Sequence, residues 1–447
     1  MQKDWIAVVG GGLAGCECAF RLAQAGYAVR LFEMKPDRYS EAHSSPGLAE
    51  LVCSNSLRSD EYVTGVGLLK EEMRALGSLV LDAAEATRVP AGKALAVDRE
   101  LFSAFITRRI EEHALIEVVR EEIPALDDAR LEGAKLVVIA AGPLASQPLA
   151  DDLQRIVGGE KLYFYDAIAP IISADSVDMD KAFWGSRYRP EDTDYLNCPM
   201  DEAQYKALIQ AMLDAEKVKP REFEKHIHFE GCLPVEEMAE RGEMTLAFGP
   251  LKPVGLEDPR TGEQAFAVVQ LRAENREKTA FNLVGFQTKL TYPEQKRVFR
   301  MIPGLENAEF LRLGSIHRNT YVDAPAVLDG LELKARPGVF LAGQITGVEG
   351  YVESAACGLW LGVLLAARLL GRDLPVPPPE TALGGLLAHL ATPPQKRFQP
   401  SNVHFGLMPA LNKRAPKKKR KELYAERGRE AFAQWMRTGA LLPVEKV

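Results

Sequence analysis

A glycine-rich turn directly after the N-terminal apolar run constrains the fold of this chain more than any other feature. The run WIAVV (residues 5–9) is typical of a buried parallel strand, and Gly10, Gly12 and Gly15 follow it as GxGxxG at the start of a helix. Glycines are needed there because the turn is tight and the backbone must approach a pyrophosphate closely. The N–H groups and positive dipole of the helix N-terminus favour the phosphates. The sequence therefore predicts a Rossmann-like dinucleotide-binding unit.

An acidic residue at the end of the second strand restricts the choice of dinucleotide. Glu33 ends the run YAVRLFE, where a carboxylate accepts from a ribose hydroxyl and disfavours a 2′-phosphate, which leaves FAD or NAD. A late strand that enters a glycine turn, GVFLAGQITG (338–347), favours FAD, since flavoproteins hold the ribityl end of the flavin there. The predicted cofactor-binding residues are Gly10, Gly11, Gly12, Leu13, Ala14, Gly15, Glu33, Gly142, Gly343, Gln344, Gly347 and Tyr351.

The length of 447 residues is long for one core and predicts two domains or one domain with an insertion. Three strands run into glycine turns, which suggests one open α/β sheet with its ligand along the carboxyl edge. The middle of the chain is richer in charge and aromatic residues, and we interpret it as an α+β insertion. We predict a first FAD-binding part at 1–183, the insertion at 184–331, and a second FAD-binding part with a basic helical tail at 332–447.

The apolar runs and the cysteines predict a cytoplasmic protein without a membrane span. No apolar run reaches the roughly 20 residues that a span needs, and six scattered cysteines do not resemble a disulfide framework. We infer no obligate protein partner.

The net charge of −7 argues against a nucleic-acid partner, yet seven of the nine residues from Lys413 to Lys421 are Lys or Arg. That run is either a solvated tail or a patch that binds phosphates.

Two cysteines are candidate nucleophiles. Cys53 lies in ELVCSNSLRSD, a small polar turn just before Arg58, and a nearby cation is expected to lower the pKa of its thiol. Cys232 lies in FEGCLP, between a glycine and a Leu-Pro pair. Neither belongs to a closely spaced pair, which excludes a flavin disulfide reductase. The residues alone leave packing or catalysis open for both. We interpret the remaining cysteines as packing residues, namely Cys16, Cys18, Cys198 and Cys357.

Several segments, taken together, resemble one enzyme family. VVGGGLAGCECAFRLAQAGYAVRLFEMKP, ELVCSNSLRS, FEGCLPVEEMAERG, LAGQITGVEGYVESAACG and SNVHFGLMPAL are similar to segments of the folate- and FAD-dependent tRNA (uracil-5-)-methyltransferases, TrmFO. The likeness runs from residue 4 to about residue 411. The GidA/MnmG tRNA-modifying flavoproteins share this flavin framework, but they are longer and carry a further helical domain.

The resemblance implies a reaction. The family transfers the methylene of 5,10-methylenetetrahydrofolate to carbon 5 of a uridine in the T-loop of tRNA, with NAD(P)H as the reductant of FAD. By residue-wise carry-over, Cys232 resembles the thiol that attacks uracil, and Cys53 resembles a flavin-side cysteine that handles the methylene or resolves the intermediate. Which of the two attacks the base stays open at this point.

Further roles follow from the resemblance and from side-chain chemistry. Tyr351 and His317 are candidates to stack on or orient the folate or the base, and Arg318 and Arg58 are candidate anion partners. Docking of tRNA would use the run from Lys413 to Lys421. Arginines of the insertion would assist it, such as Arg187 and Arg189.

Three alternatives remain. The first is a GidA-like enzyme that modifies the wobble uridine together with a partner GTPase. The second is an FAD-containing RNA-binding protein without methyl transfer. The third is a flavin oxidoreductase acting on small molecules, which would leave the basic tail unexplained.

Overall fold

The glycine-rich turn follows an inner strand of a seven-stranded sheet in the computed structural model of the chain. The structure describes residues 4–158, 162–189, 192–218, 233–394, 398–411 and 416–438. Five neighbouring strands run parallel, so their carboxyl ends share one edge of the sheet. In spatial order the strands are Leu328–Asp329, Glu332–Leu333, Val339–Leu341, Ala134–Ile139, Trp5–Val9, Ala28–Phe32 and Ile116–Val119.

Helix Leu13–Gln24, which follows the glycine-rich turn, packs directly against helix Tyr351–Leu369. A Cβ at Gly358 would overlap the backbone of Ala14, so the two helices approach more closely than larger residues allow. The helices around this sheet are Leu13–Gln24, Gly65–Ala75, Leu79–Ala86, Arg99–Glu111, Gln147–Val157, Ala324–Val327, Tyr351–Leu369, Ala382–Ala391 and Lys417–Thr438. A small sheet of Ser56–Ser59, Ala94–Val97 and Arg88–Val89 lies beside them, and short 3₁₀ turns are Ala129–Leu131, Ala174–Ser176, Gln344–Thr346 and Phe405–Leu407.

A second, antiparallel sheet has its own apolar core. Its strands, in spatial order, are Phe183–Trp184, Tyr195–Met200, Ala267–Ala273, Ala280–Leu283, Ile171–Ser173 and Phe310–Arg312. Its helices are Glu202–Asp214, Val235–Glu240, Thr245–Phe248 and Tyr292–Phe299. The helix from Glu202 begins in a capping box of Asp201 and Gln204, which confirms the start predicted from the sequence.

An antiparallel ribbon of two strands, Leu162–Ala167 and Ile316–Tyr321, carries the chain to the second sheet and back. The predicted α/β class, a Rossmann-like unit interrupted by an α+β insertion, is confirmed. Sheet membership differs from the predicted division at 184 and 331. The three-residue strand from Ile171 already belongs to the second sheet, whereas Leu328 and Leu331 are buried in the apolar core of the parallel unit.

One helix in the described part of the chain, Tyr351–Leu369, is long and apolar enough to cross a membrane by length and composition. In the fold, 78% of the apolar stretch of this helix is buried inside the protein. Its apolar side chains pack in the first core, as in the central helix of a globular domain.

Candidate functional site

A cleft that is partly open to solvent lies along the carboxyl edge of the parallel sheet. Strand ends, the glycine turn and the start of the helix at Tyr351 form its walls. Ten of the twelve predicted cofactor-binding residues line it: Gly10, Gly11, Gly12, Leu13, Ala14, Glu33, Gly142, Gly343, Gln344 and Tyr351. The structure thus brings together residues that are more than 300 positions apart in the sequence.

The helix N-terminus in this cleft is open to a ligand. Gly12 caps the helix without a side-chain hydrogen bond, and the first turn contains no acidic residue. A Cβ at Gly12 would meet nothing within 4 Å. Gly15 faces the other way, because a Cβ there would overlap the carbonyl oxygen of Gly10. Gly12 leaves space in the cleft, whereas Gly15 lets the helix pack on the strand. The turn therefore fits the pyrophosphate of a dinucleotide such as FAD.

Glu33 is held in place beside the glycine turn. One carboxylate oxygen accepts from the Gly11 N–H at 3.0 Å, and the other accepts from the Lys35 N–H at 3.0 Å. The Lys35 ammonium in turn donates to the Gly47 carbonyl at 2.6 Å and lies 3.5 Å from Glu50. The carboxylate therefore lies in the cleft with a fixed orientation, as a ribose partner requires.

The late glycine turn contributes one wall and one packing contact. Gln344 lines the cleft, and its amide donates to the buried Glu349 carboxyl at 2.7 Å. Gly347, which has φ of +97°, is outside the lining residues, and a Cβ there would overlap the Phe398 ring. A direct contact of Gly347 with a cofactor stays a prediction.

Cys53 lies next to the end of the cleft that Tyr351 lines. The Tyr351 hydroxyl accepts from the N–H groups of Cys53 at 2.7 Å and Ser54 at 3.2 Å. The thiol lies 3.7 Å from the carbonyl oxygen of Ala167. Hydrogen bonds to the tyrosine thus place the cysteine turn against the wall of the cofactor cleft.

The expected lowering of the Cys53 pKa is wrong. Burial raises the pKa of the thiol, and the Asp166 carboxylate raises it further, whereas Arg99 acts in the opposite direction. Arg58, the cation named from the sequence, instead donates to Glu353 at 2.8 Å. Proximity in sequence did not reveal which charges surround the thiol.

Two histidines that the glycine motif does not predict lie close to this end of the cleft. His43 lines the cleft and contacts the Ser40 hydroxyl at 2.6 Å through Nδ1. His317 is 3% exposed, and neither of its ring nitrogens has a hydrogen-bond partner among the residues that the structure describes. Burial, Arg312 and His43 lower the pKa of His317 to about 4, so the ring is neutral near pH 7. An unpartnered buried imidazole next to a cleft is suited to a polar ligand group.

Reasoning from the sequence missed His43, Arg312, Asp166 and Glu349. The signal for Glu349 was present, since an acidic residue stands between glycines in the apolar segment TGVEGYV. Burial raises the pKa of Glu349 well above its ordinary value, and Asp166 adds to this effect. The other three residues lie in ordinary polar sequence and come near the cleft only through the fold.

Some predicted site residues lie outside the described residues. These are Cys232, within 219–232, and the start of the basic run, within 412–415; the side chain of Arg318 is likewise not described. Lys419, Arg420 and Lys421 are exposed on the helix that begins at Lys417.

The arginines and the other cysteines divide between surface and core. Arg187 is half-buried and donates to the Gln270 side chain at 3.0 Å and to the Lys252 carbonyl, whereas Arg189 is exposed. The remaining described cysteines are buried, and burial raises the pKa of each thiol, as expected for packing: Cys16, Cys18, Cys198 and Cys357. The part of the chain that the structure describes contains no cluster of metal-ligating side chains.

Known proteins resemble the chain over its full length. The family model described as Glucose inhibited division protein A (GIDA) matches residues 5–373. Methylenetetrahydrofolate–tRNA-(uracil-5-)-methyltransferase TrmFO of Oleidesulfovibrio alaskensis is 68% identical over 98% of this chain and 97% of its own length. The protein of the same name from Geobacter sulfurreducens is 60% identical, over 97% and 99%. Aquifex aeolicus GidA (form II crystal) has a similar fold, with a TM-score of 0.68 at 16% identity over 97% of this chain and 73% of that one.

Proposed function

The chain belongs to the TrmFO family of methylenetetrahydrofolate–tRNA-(uracil-5-)-methyltransferases, within the wider GidA family, and on this premise we propose that it forms 5-methyluridine in the T-loop of tRNA. The one-carbon unit comes from 5,10-methylenetetrahydrofolate, and NADH or NADPH reduces the bound FAD. The observation that carries the proposal is the 68% identity over 98% of the chain to a relative of that name. Free thiols support action in the cytoplasm.

FAD would be held along the cleft by the predicted set of residues. The N-terminus of helix Leu13–Gln24 would bind the pyrophosphate and Glu33 the ribose, while Gly343 and Gln344 would meet the ribityl end. Once bound and reduced by NADH or NADPH, the flavin would supply the hydride that completes the methyl group. The open space at Gly12 and the uncapped N–H groups support this placement.

The two candidate cysteines divide the chemistry at uracil. Carbon 5 becomes nucleophilic only after a thiolate adds to carbon 6, and the thiolate later leaves. We assign this addition to Cys232, by its match to the family's FEGCLP segment. Cys53 takes the flavin-side role, which its place beside Tyr351 supports. The raised pKa of the Cys53 thiol also supports this division, because an attacking thiol has to ionise readily.

Folate would enter at the end of the cleft that lies near Cys53. Tyr351 lines this end and offers an aromatic ring. The unpartnered ring nitrogens of His317 lie buried near His43 and would orient polar groups of the pterin. Because His317 is neutral near pH 7, it would contribute hydrogen bonds and ring contact rather than charge.

The T-arm of tRNA would contact the basic start of the C-terminal helix. Helix Lys417–Thr438 has no acidic residue in its first turn. Lys419 and Arg420 lie within that turn, and Lys421 follows directly after it. Cations at the positive end of a helix dipole repel it, so this arrangement does not serve helix stability. A phosphate backbone removes that repulsion, which supports a contact with RNA. Arg189 is exposed and would assist, whereas Arg187 is engaged with the Gln270 side chain and the Lys252 carbonyl.

The test is a transfer experiment with purified protein. The flavin-loaded protein is incubated with unmodified tRNA, methylene-labelled 5,10-methylenetetrahydrofolate and NADH, and label is expected in the T-loop uridine. Label in the anticodon wobble uridine would instead indicate the GidA-like alternative. Label arising only from S-adenosylmethionine would contradict the proposal.

The division of roles between the cysteines has its own test. A tRNA that contains 5-fluorouridine should form a covalent adduct with the wild-type protein. We expect the adduct to persist in Cys53→Ala and to vanish in Cys232→Ala, with the buried Cys198→Ala as the matched control. The reverse pattern would exchange the two roles.

A further inference from the structure

The turn that carries Cys53 is held by a side chain from the other sheet. Arg272 lies in the strand Ala267–Ala273 of the antiparallel sheet. Its Nε donates to the Asn55 side-chain oxygen at 2.8 Å, and its Nη2 donates to the Ser54 hydroxyl at 2.8 Å. One planar guanidinium thus holds the two residues that follow the cysteine, in the forked geometry that an arginine provides and a lysine does not.

Arg272 is in a costly place for a charge. The side chain is 7% exposed, and its neighbours in the strand, Leu271 and Ala273, belong to the core of the antiparallel sheet. Burial lowers the pKa of the guanidinium, while Glu274 opposes this effect. A buried cation is kept at the expense of desolvation, so a side chain that merely filled this space would be better apolar. The hydrogen bonds to Ser54 and Asn55 are what the buried guanidinium provides and an apolar side chain would not.

Other contacts complete a cage around the same turn. The Asn55 amide donates to the carbonyls of Val97 at 3.0 Å and Ala273 at 2.9 Å, which joins the small sheet to the antiparallel sheet. Tyr351 holds the Cys53 and Ser54 N–H groups from the cofactor side. The thiol is therefore placed by contacts from the parallel unit and from the second sheet at once.

We propose that Arg272 is a positioning residue for the Cys53 thiol: it acts through Ser54 and Asn55 and makes the place of the thiol depend on the second sheet. The inference rests on the proposed function, in which Cys53 works beside the flavin.

The experiment compares Arg272→Lys with Arg276→Lys in the flavin-loaded full-length protein. Both changes keep the charge, and Arg276 is exposed four residues further along the chain. Arg272→Lys removes the planar fork that donates to both Ser54 and Asn55, so we expect kcat for methyl transfer to fall about 10- to 100-fold, as for a displaced reacting group. The KM for tRNA should stay within about twofold, and Arg276→Lys should match the wild type.

Thiol alkylation distinguishes positioning from general loosening. Cys198 is fully buried in the strand Tyr195–Met200, which pairs with the strand of Arg272, so it reports whether that sheet opens. Alkylation with iodoacetamide is followed on separate peptides by mass spectrometry. Release of the turn should accelerate the alkylation of Cys53 several-fold and leave Cys198 unchanged. Equal acceleration of both thiols, or an unchanged kcat, would overturn the proposal.

A milder variant and one control keep the outcome interpretable. If Arg272→Lys does not fold, Ser54→Ala removes a single acceptor of the guanidinium and should still lower kcat several-fold; an unchanged kcat would overturn the inference. Cys53→Ala separates it from the proposed function. Full methyl transfer in Cys53→Ala refutes the role of Cys53, whereas an inactive Cys53→Ala together with a fully active Arg272→Lys refutes only the role of Arg272.

Discussion

Gly12 and Gly15 belong to one motif but face different surroundings, so the same substitution should have different effects at each. Gly12→Ala adds a methyl group to open space in the cleft, and φ of −78° at Gly12 suits alanine. We expect it to fold and to lose FAD. Gly15→Ala forces the methyl into the Gly10 carbonyl and should destabilise the fold by about 1–3 kcal/mol. Thermal unfolding of the flavin-free proteins and flavin absorbance after reconstitution measure the two effects.

Gly26→Ala is not a suitable control, because φ of +91° makes alanine strained there. Glu257→Ala, at an exposed loop position, provides the baseline instead. A Gly12→Ala protein that retains a full complement of FAD would remove the pyrophosphate from this end of the helix. A Gly15→Ala protein with wild-type stability would show that the helix can move away from the strand at little cost.

Single residues also show where sequence reasoning reached its limit. The cleft residues of the glycine motif were identified because a strand, a turn and a helix lie consecutively in the chain. Arg272, Asp166 and Arg312 could not be identified in this way, since their importance comes from neighbours that are far away in sequence. For Arg272 one local signal existed: a charged residue inside the apolar run AVVQLRA.

At the scale of elements, helix Ala382–Ala391 depends on a carboxyl group from another helix. Glu72 is buried and accepts from the Ala382 N–H at 2.8 Å and the Leu383 N–H at 2.7 Å. Burial, the largest cause, raises the pKa of Glu72 to about 8, although these hydrogen bonds lower it. Between the ordinary pKa of a glutamate and about 8, Glu72 is therefore protonated in the folded protein but ionised in the unfolded chain. Stability from this group is complete at low pH and is lost as the pH rises through 8.

Glu72→Gln should remove this dependence, because the amide stays neutral throughout. From pH 5 to pH 8 the wild type should lose on the order of 3 kcal/mol relative to Glu72→Gln. Urea unfolding at several pH values measures the difference, with the exposed Glu112→Gln as the control. A constant difference between wild type and Glu72→Gln across this range would show that Glu72 is ionised in the folded state.

The basic start of helix Lys417–Thr438 gives a second prediction for an element. Replacing Lys419, Arg420 and Lys421 by Gln should weaken tRNA binding and reduce the slope of log K against log salt concentration by up to about 2–3. The same change should not destabilise the helix, since it removes cations near the positive end of the dipole. Binding titrations at several salt concentrations test this.

Arg429→Gln is the matched control for that experiment. Arg429 lies on the same helix, but it already pairs with Glu71 at 2.9 Å and should contribute less to RNA binding. Unchanged tRNA affinity and salt slope in the triple variant would exclude these three residues as RNA contacts. An equal loss in Arg429→Gln would indicate a non-specific effect of net charge.

Elements also explain why sheet membership does not follow the predicted division at 184 and 331. Ile171–Ser173 and Phe310–Arg312 have three residues each, too few for an alternating pattern to be visible. Ile171–Ser173 joins the second sheet through long-range pairing with Ala280–Leu283 on one side and with Phe310–Arg312 on the other. By contrast, the helix from Glu202 was predicted correctly because its start signal is local.

At the scale of the whole molecule, the cofactor should stabilise the protein through phosphate recognition at the parallel sheet. The cleft is built from that sheet and its helices, and the second sheet has a separate core. FAD at about 100 times its Kd should raise the unfolding free energy by about 2.7 kcal/mol, because it binds only the folded state. Thermal unfolding of flavin-free protein with increasing FAD measures the shift.

Riboflavin provides the discriminating comparison, because it has the same ring system without the pyrophosphate or the adenosine. If the N-terminus of helix Leu13–Gln24 binds the phosphates, riboflavin at the same concentration should give a much smaller increase in Tm than FAD. Gly12→Ala should reduce the effect of FAD toward that of riboflavin, since both changes remove the same contact. Equal stabilisation by riboflavin and FAD in the wild type would place the recognition at the ring instead. Binding of a dinucleotide at the parallel sheet would then not depend on the open N-terminus of helix Leu13–Gln24.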